Sequence, residues 1–486
     1  MKNISESKVK HIVILAISLA LLNYAVGKFS KYNKQKMSAA QPAIISSDEG
    51  LNEGISPSKS EAPSIKKIKG VSELEEPSRY FLDITSQTEM NYECLPIVVE
   101  KKPKYDIDFL HCSDAALEQD GKSIELTKNF RVTEMLARRY NFWRRVYSHF
   151  SSNQYLLHLA EYPEVVLEIY DLSKVSDLDY HQKRKLVRKI SQKRKYYYRK
   201  LFKKLHKHRN DDLNSFSPDM QRIARLMGHI SNKKKYRIAS LSIRTQTGQR
   251  NYIEKGLTQA SKYISAIESE FKKVGIPSEI SRLAFVESSF NLQAHSKAGA
   301  SGVFQIMPST GHQYLKIKTG IDERNDPIKA ARAAAKLLQL NYKITKRWPL
   351  AITAYNHGVG SIKRAVKKTG SYEIDVIIDR YNHNSFGFAS KNFYAEFLAM
   401  LGTLHEAHLL FPGNLRYDPL AFDTVKLPRT YSMHTIRKKY GVTNQQIEEL
   451  NPDISDWYIK RGGVLPKGFD LKVPVEKESD ISLSKS

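Results

Sequence analysis

Glu287 is a carboxyl group set into an apolar helix face, and it is the strongest chemical signal in this sequence. It lies in Arg282-Leu-Ala-Phe-Val-Glu-Ser-Ser-Phe-Asn291, where Ile280, Leu283, Ala284 and Phe290 recur at helical spacing and place Glu287 on their stripe. Phe285 and Val286 add apolar surface beside it. Desolvation disfavours the charged form, so this carboxyl should keep its proton to higher pH than a solvated one. A carboxylic acid still protonated near neutrality is what general-acid chemistry on a glycosidic or ester bond requires. Alone, such a residue can equally be paired with a lysine or capped by a tyrosine, so its surroundings decide.

Three ordered segments surround it. Glu287-Ser288 is followed by Ser296; then comes Gly299-Ala-Ser-Gly-Val-Phe-Gln-Ile-Met-Pro308; then Ala354-Tyr-Asn356. Together they resemble the Glu-Ser, Gly-Leu-Met-Gln and Ala-Tyr-Asn motifs of soluble-type lytic murein transglycosylases, glycoside hydrolase family 23, which share a fold with goose-type lysozyme. Ala298-Gly-Ala300, Asp322-Glu-Arg-Asn-Asp-Pro327 and Trp348-Pro-Leu-Ala-Ile-Thr-Ala-Tyr-Asn-His357 extend the likeness, most of all to the membrane-bound lytic transglycosylase D branch. The resemblance implies that Glu287 protonates the glycosidic oxygen between N-acetylmuramic acid and N-acetylglucosamine. It then takes the proton of the muramoyl C6 hydroxyl as that hydroxyl closes on its own anomeric carbon. One carboxylate then suffices where most glycosidases need two.

By the same resemblance, Ser296 contacts the sugar and Gln305 lines the substrate groove. Tyr355 and Asn356 end a helix facing the acid, with Tyr355 a hydrogen-bond partner that orients Glu287. The sequence departs from the pattern in two places. Gly-Val-Phe-Gln replaces Gly-Leu-Met-Gln, and the expected late tyrosine aligns with Phe393, leaving Tyr394 as its substitute. Ser288 reads as structural, tying up backbone where its helix ends. His295 and His357 read as surface or groove residues, because a metal needs more ligands; neither metal nor cofactor is implied.

These residues must be held by a mostly α fold. Gly275-Ile-Pro277 should open the helix of Glu287, Asp326-Pro327 should cap and start another over Ile328–Leu340, and Trp348-Pro349 a third, ended by Gly358. Residues 249–412 thus form the lysozyme-like catalytic domain. Residues 80–248 read as a basic helical region, with apolar faces at Phe142, Trp143, Val146 and Tyr147 and at Leu186, Ile190, Tyr197, Leu201 and Leu205. Residues 425–474 resemble a small βααβ LysM module, a peptidoglycan-binding fold, although Ser432-Met-His434 replaces the usual Gly-Asp-Thr opening. A polar tail, 475–486, follows.

The chain of 486 residues carries a formal net charge of +27, which favours polyanionic partners. Fourteen of its Lys and Arg fall between Lys183 and Arg209 with no Asp or Glu among them; that run is either the solvated face of an amphipathic helix or a contact surface for membrane phosphates or cell-wall carboxylates. Residues 1–27 combine Lys2, Lys8 and Lys10 with an apolar run from Ile12 to Val26, a signal peptide or a membrane anchor. Residues 28–79 read as a disordered linker. Cys94 and Cys112 form either one disulfide or two free thiols.

The expected protein is therefore exported to the periplasm or cell envelope. Its expected partners are peptidoglycan glycan strands, with a membrane surface reached through the anchor and the basic helices, and no nucleic acid. Two alternatives stand beside the transglycosylase: a goose-type lysozyme-like hydrolase, and a non-catalytic peptidoglycan-binding scaffold.

Overall fold

The computed structural model describes residues 94–96, 105–112, 123–175 and 178–475. The leader, the linker and the polar tail from residue 476 lie outside the described residues. Among those described, no helix is long and apolar enough to cross a membrane.

The first part of the chain is not all helix. It holds β1 (Cys94–Pro96), β2 (Asp108–Cys112), β3 (Ile124–Thr127), β4 (Phe130–Val132), α1 (Glu134–Ser148), β5 (Gln154–Leu159), β6 (Val166–Asp171), α2 (Tyr180–Lys207), α3 (Pro218–Leu226), α4 (Lys235–Leu241) and β7 (Ile243–Thr247). Five of the strands form an antiparallel sheet in the order β1-β2-β6-β5-β7. This corrects the reading of residues 80–248 as a helical region. Tyr155-Leu-Leu-His-Leu159 and Val166-Leu-Glu-Ile-Tyr170 are buried on both faces and so lack the alternation that announces a half-exposed strand. In β5 Leu156 joins one core and Leu157 the other; in β6 Ile169 and Tyr170 divide the same way. Cys94 lies opposite Cys112 in the β1–β2 register and is disulfide-bonded.

α2 covers one sheet face with Ile190, Tyr198, Leu201, Phe202 and Leu205. Its N-terminus is closed by a capping box between Asp179 and Gln182. Arg194 reaches inward, its Nε donating to both Glu168 carboxylate oxygens at 2.7 and 2.9 Å. The other sheet face belongs to a larger core shared by α1 and the second part of the chain.

That second part runs through α5 (Arg250–Ala260), α6 (Ile264–Lys273), a 3-10 turn (Ser278–Arg282), α7 (Leu283–Ser288), α8 (Pro308–Gly311), α9 (Pro327–Thr345), α10 (Trp348–His357), α11 (Val359–Thr369), α12 (Ile374–Arg380), α13 (Phe388–His405) and α14 (Ala407–Leu410). The Asp326 carboxylate caps α9 by accepting the Ile328 and Lys329 N–H groups, and Gly358 ends α10, as the sequence predicts. α13 is buried along almost its whole length and packs closely on α1. A side chain at Gly402 would sit 2.2 Å from the Tyr140 hydroxyl. α1 is therefore a wall of the same core as α7, and the boundary expected at residue 248 does not divide the packing.

The C-terminal unit pairs β10 (Phe422–Lys426) with β13 (Asp470–Pro474), and β11 (Tyr431–Ser432) with β12 (Val464–Leu465), around α15 (Met433–Tyr440), α16 (Asn444–Leu450) and α17 (Asp456–Lys460). It is fixed to the rest by buried charge. Lys472 pairs with Asp326, and Lys329 donates to Asp453 at 2.7 Å. The short strands β8 (Ile317–Lys318) and β9 (Ile321–Asp322) meet it through an Ile321–Ile454 bridge.

Candidate active site

Glu287 sits on the last turn of α7, a helix too short to stand alone. The turn after it is held by tertiary structure. Ser289 and Phe290 take left-handed backbone, with φ of 51° and 58°, and close the helix end through bonds to the Phe285 and Ala284 carbonyls. Gly256 of α5 makes this possible, since a Cβ there would stand 2.1 Å from the Ser289 carbonyl oxygen. The Ser288 hydroxyl lies 3.0 Å from the Ala284 and Val303 carbonyls and accepts the Asn291 N–H, the structural role read from the sequence.

The Glu287 side chain is buried, and neither carboxylate oxygen has a hydrogen-bond partner among the described residues. Burial, and then the neighbouring Glu396 carboxyl, push its pKa well above the usual carboxylate range. Burial therefore favours its protonated form, as the apolar stripe predicts.

Three aromatic or acidic neighbours come from three helices. Tyr355 of α10 and Tyr147 of α1 both have phenols raised by burial and then by carboxylates, Glu287 acting on the first and Glu396 and Glu287 on the second. Glu396 of α13 is itself buried, with its pKa raised to about 8 by burial against the opposing pull of Arg244. Tyr355 does not hydrogen-bond Glu287; its hydroxyl donates to the Phe304 carbonyl at 2.9 Å, so it orders the loop beside the acid.

That loop carries the second motif. Gln305 has φ 47° and is buried, and its amide donates to the Ala294 and Gly302 carbonyls at 3.1 and 2.9 Å. Its donors thus close the loop on itself. Arg324 clasps the loop from outside, donating to the Gly299 and Ile306 carbonyls. Ser296 is half-buried, and its hydroxyl oxygen accepts the Ala300 N–H at 2.9 Å, leaving its own proton to donate. Asn356 accepts from Ser390 at 3.3 Å, and the same Ser390 hydroxyl lies 3.0 Å from His357 Nδ1, which ties α10 to α13.

Tyr394, read as the substitute tyrosine, has no charge contribution from Glu287. It stacks on Phe397 at 6.2 Å, and the charges it feels are those of Arg131 and Asp375. The reason is helical geometry: Tyr394 and Glu396 are two residues, about 200°, apart on α13, so only one of them can face α7. Glu396 takes that place. Its signal was present in the sequence as a carboxylate in the apolar run Phe393–Leu404, the same kind of signal that marks Glu287. Tyr147 and Arg244 gave none, being remote in sequence. Among the described residues no group of three or more His, Cys, Asp or Glu is placed to hold a metal ion.

The site thus gathers two buried carboxyl groups, a stapled loop and a helix-end Tyr-Asn pair. Residues 264–378 match the family model of the transglycosylase SLT domain. Over 120 residues the chain is 37% identical to membrane-bound lytic murein transglycosylase D of Escherichia coli K12, covering 24% of this chain and 26% of that protein. Over 129 residues it is 36% identical to membrane-bound lytic murein transglycosylase C of Photorhabdus laumondii, covering 24% of this chain and 35% of that one. The chain thus spans well under two thirds of either relative. Among solved structures, the 70 kDa soluble lytic transglycosylase of Escherichia coli aligns at 19% identity over 40% of this chain and 32% of that chain, with a TM-score of 0.28. Lytic transglycosylase Slt of Pseudomonas aeruginosa aligns at 18% identity over 43% and 34%, with a TM-score of 0.27.

Proposed function

We propose that this protein is a peptidoglycan lytic transglycosylase of the cell envelope. It cleaves the β-1,4 bond between N-acetylmuramic acid and N-acetylglucosamine and leaves a 1,6-anhydromuramoyl end. The observation that carries the reading is Glu287, fully buried and unpartnered within the matched SLT domain, where burial raises its pKa well above the usual carboxylate range. In the first step the Glu287 carboxylic acid gives its proton to the glycosidic oxygen as the C1–O4 bond breaks. In the second the Glu287 carboxylate takes the proton of the muramoyl C6 hydroxyl while that oxygen bonds C1. The proton count returns to its start and no water is consumed. Holding the nucleophile within the same sugar supplies a high effective concentration, and an apolar wall keeps water away from C1.

In this reading the Ser296 hydroxyl donates to the sugar, while Gln305, Tyr355 and Asn356 hold the loop and helix end that shape the groove. Residues 425–474 act as a LysM-like glycan-binding module, supported by the antiparallel β10–β13 pair enclosing three short helices. The basic outer face of α2 holds the polymer, or an anionic membrane surface, near the site by charge.

Purified protein and a Glu287→Gln variant, incubated with peptidoglycan, provide the test. Anhydromuropeptides identified by mass from the parent alone support the reading. Products heavier by one water would instead indicate a lysozyme-like hydrolase, and equal release by both proteins would sink the assignment of Glu287.

A further inference from the structure

The mechanism above uses one carboxyl group, yet the wall around it contains two. Glu396 projects from α13, which packs against α7, and is buried with Oε1 lacking any hydrogen-bond partner among the described residues. Glu287 presents two more oxygens in the same condition. An unpaired buried carboxyl is costly, and each such group in a folded protein calls for a reason. Two of them, on helices that pack against each other, are harder to ascribe to packing. Glutamine at position 396 would fill the same volume without a titrating group.

The surroundings of Glu396 give it a direction. Arg244 of β7 reaches over the Phe388 ring, 4.2 Å from its centroid, and supplies the positive charge that Glu396 feels. His158, opposite Arg244 in the β5–β7 register, is held neutral by burial and by Arg244, with a pKa of about 3, so it adds no charge. Tyr147 feels both glutamates and Tyr355 feels Glu287, and burial keeps both as neutral phenols. The charged and titratable neighbours of the pair are thus Arg244 on the Glu396 side and two un-ionised tyrosines. The pair is asymmetric: the arginine stabilises a negative charge on Glu396 and does not act on Glu287.

We propose that Glu396 is a positioning residue for the proposed reaction, a second carboxyl that ionises first, beside Arg244, as the solution turns alkaline and so keeps the proton on Glu287 further into that range. The inference rests on the reading of Glu287 as general acid. Two like charges close together in an apolar wall cannot both ionise cheaply, so whichever group ionises first protects the proton on the other. Arg244 decides that Glu396 goes first. The device comes from outside the matched SLT domain, since Glu396 lies beyond residue 378 and Arg244 and Tyr147 precede residue 264.

Infrared titration of the full chain tests this without turnover. The carboxylic-acid band of Glu287 is identified by its loss in Glu287→Gln and followed against pH in the parent, in Glu396→Gln and in Arg244→Met. We expect the band to disappear about one pH unit earlier in Glu396→Gln, and earlier in Arg244→Met as well, because Glu396 then stays neutral while Glu287 titrates. The alkaline limb of activity on peptidoglycan should move by the same interval, whereas a merely structural role would lower activity evenly across pH. An unmoved Glu287 band in Glu396→Gln overturns the proposal; if that variant does not fold, an unmoved band in Arg244→Met does so instead. Absence of anhydro products from the parent would refute the proposed function and leave the infrared result standing by itself.

Discussion

The Tyr355 hydroxyl donates to the Phe304 carbonyl at 2.9 Å, joining the end of α10 to the loop that carries Gln305. Both groups are buried, so the bond is the means by which the third motif fixes the second. Tyr355→Phe keeps the ring and leaves a buried carbonyl unsatisfied, at a cost of about 1–3 kcal/mol. The melting temperature should fall accordingly. On the proposed reaction, kcat should drop by about tenfold or more as the loop loosens, since misplacement of about 1 Å suffices for such losses. A melting temperature equal to the parent's would show that the bond does not hold the loop.

Much of this site could be read from residue order. Glu287 stood out because an ionisable group interrupted an apolar stripe, and Asp326-Pro327 and Gly358 marked helix ends through local chemistry that tertiary structure did not override. What could not be read depends on contacts distant in sequence. Val166–Asp171 is a sheet strand only because β2 and β5 flank it, and its apolar run fits a buried helix equally well. Tyr355 looked like a partner for Glu287 because the motif placed it nearby; the direction of its hydroxyl depends on the Phe304 carbonyl, 51 residues away in sequence. Tyr394 was read as the substitute for the tyrosine expected at Phe393; that Glu396, two residues on, is the residue Glu287 feels depends on the rotation of α13.

Stability should fall as pH rises, and Glu396 should be a main cause. Its folded pKa is raised to about 8. Below the unfolded value, near 4.3, both states are protonated and the group costs nothing; above it the unfolded chain releases a proton that the folded one keeps. The penalty grows by about 1.4 kcal/mol per pH unit until pH passes the folded value. Glu396→Gln removes it. Relative to the parent, the variant should be similar in stability at pH 4 and more stable by a few kcal/mol at pH 8. Parallel urea-unfolding curves across that range make the comparison, and a constant offset would mean that Glu396 does not titrate in this interval.

The turn after Glu287 depends on a glycine in another helix. A Cβ at Gly256 would overlap the Ser289 carbonyl oxygen at 2.1 Å, so Gly256→Ala must push α5 away or shift the left-handed Ser289–Phe290 pair. Overpacking of this kind typically costs about 1–3 kcal/mol. Glu287 precedes that turn by two residues, so activity should fall further than stability alone explains. The measurement is activity per folded molecule at a temperature well below melting. Full activity there would place the shift in α5 rather than in the turn.

The C-terminal unit should come loose when Lys472 loses its charge. Lys472 pairs with Asp326, which also caps α9, and Lys329 links Asp453 to the same cluster while lying 3.7 Å from Glu323. Burial alone would raise the Asp326 pKa, but Lys472 and Lys329 overcome it and hold it lowered. A depressed carboxylate contributes stability that is present above its unfolded pKa, near 3.9, and is lost as pH falls through the folded value. Lys472→Met strands a buried carboxylate at neutral pH, at a cost of about 3–5 kcal/mol. Hydrogen exchange should then speed up in β13 and at the Ile321–Ile454 bridge while α1 and α13 keep their protection. Adding Asp326→Asn should recover part of the loss, because the amide needs no counter-charge and its oxygen can still accept the α9 N–H groups. If the double variant exchanges as fast as Lys472→Met alone, the packing of the lysine stem holds the unit in place and the ion pair does not.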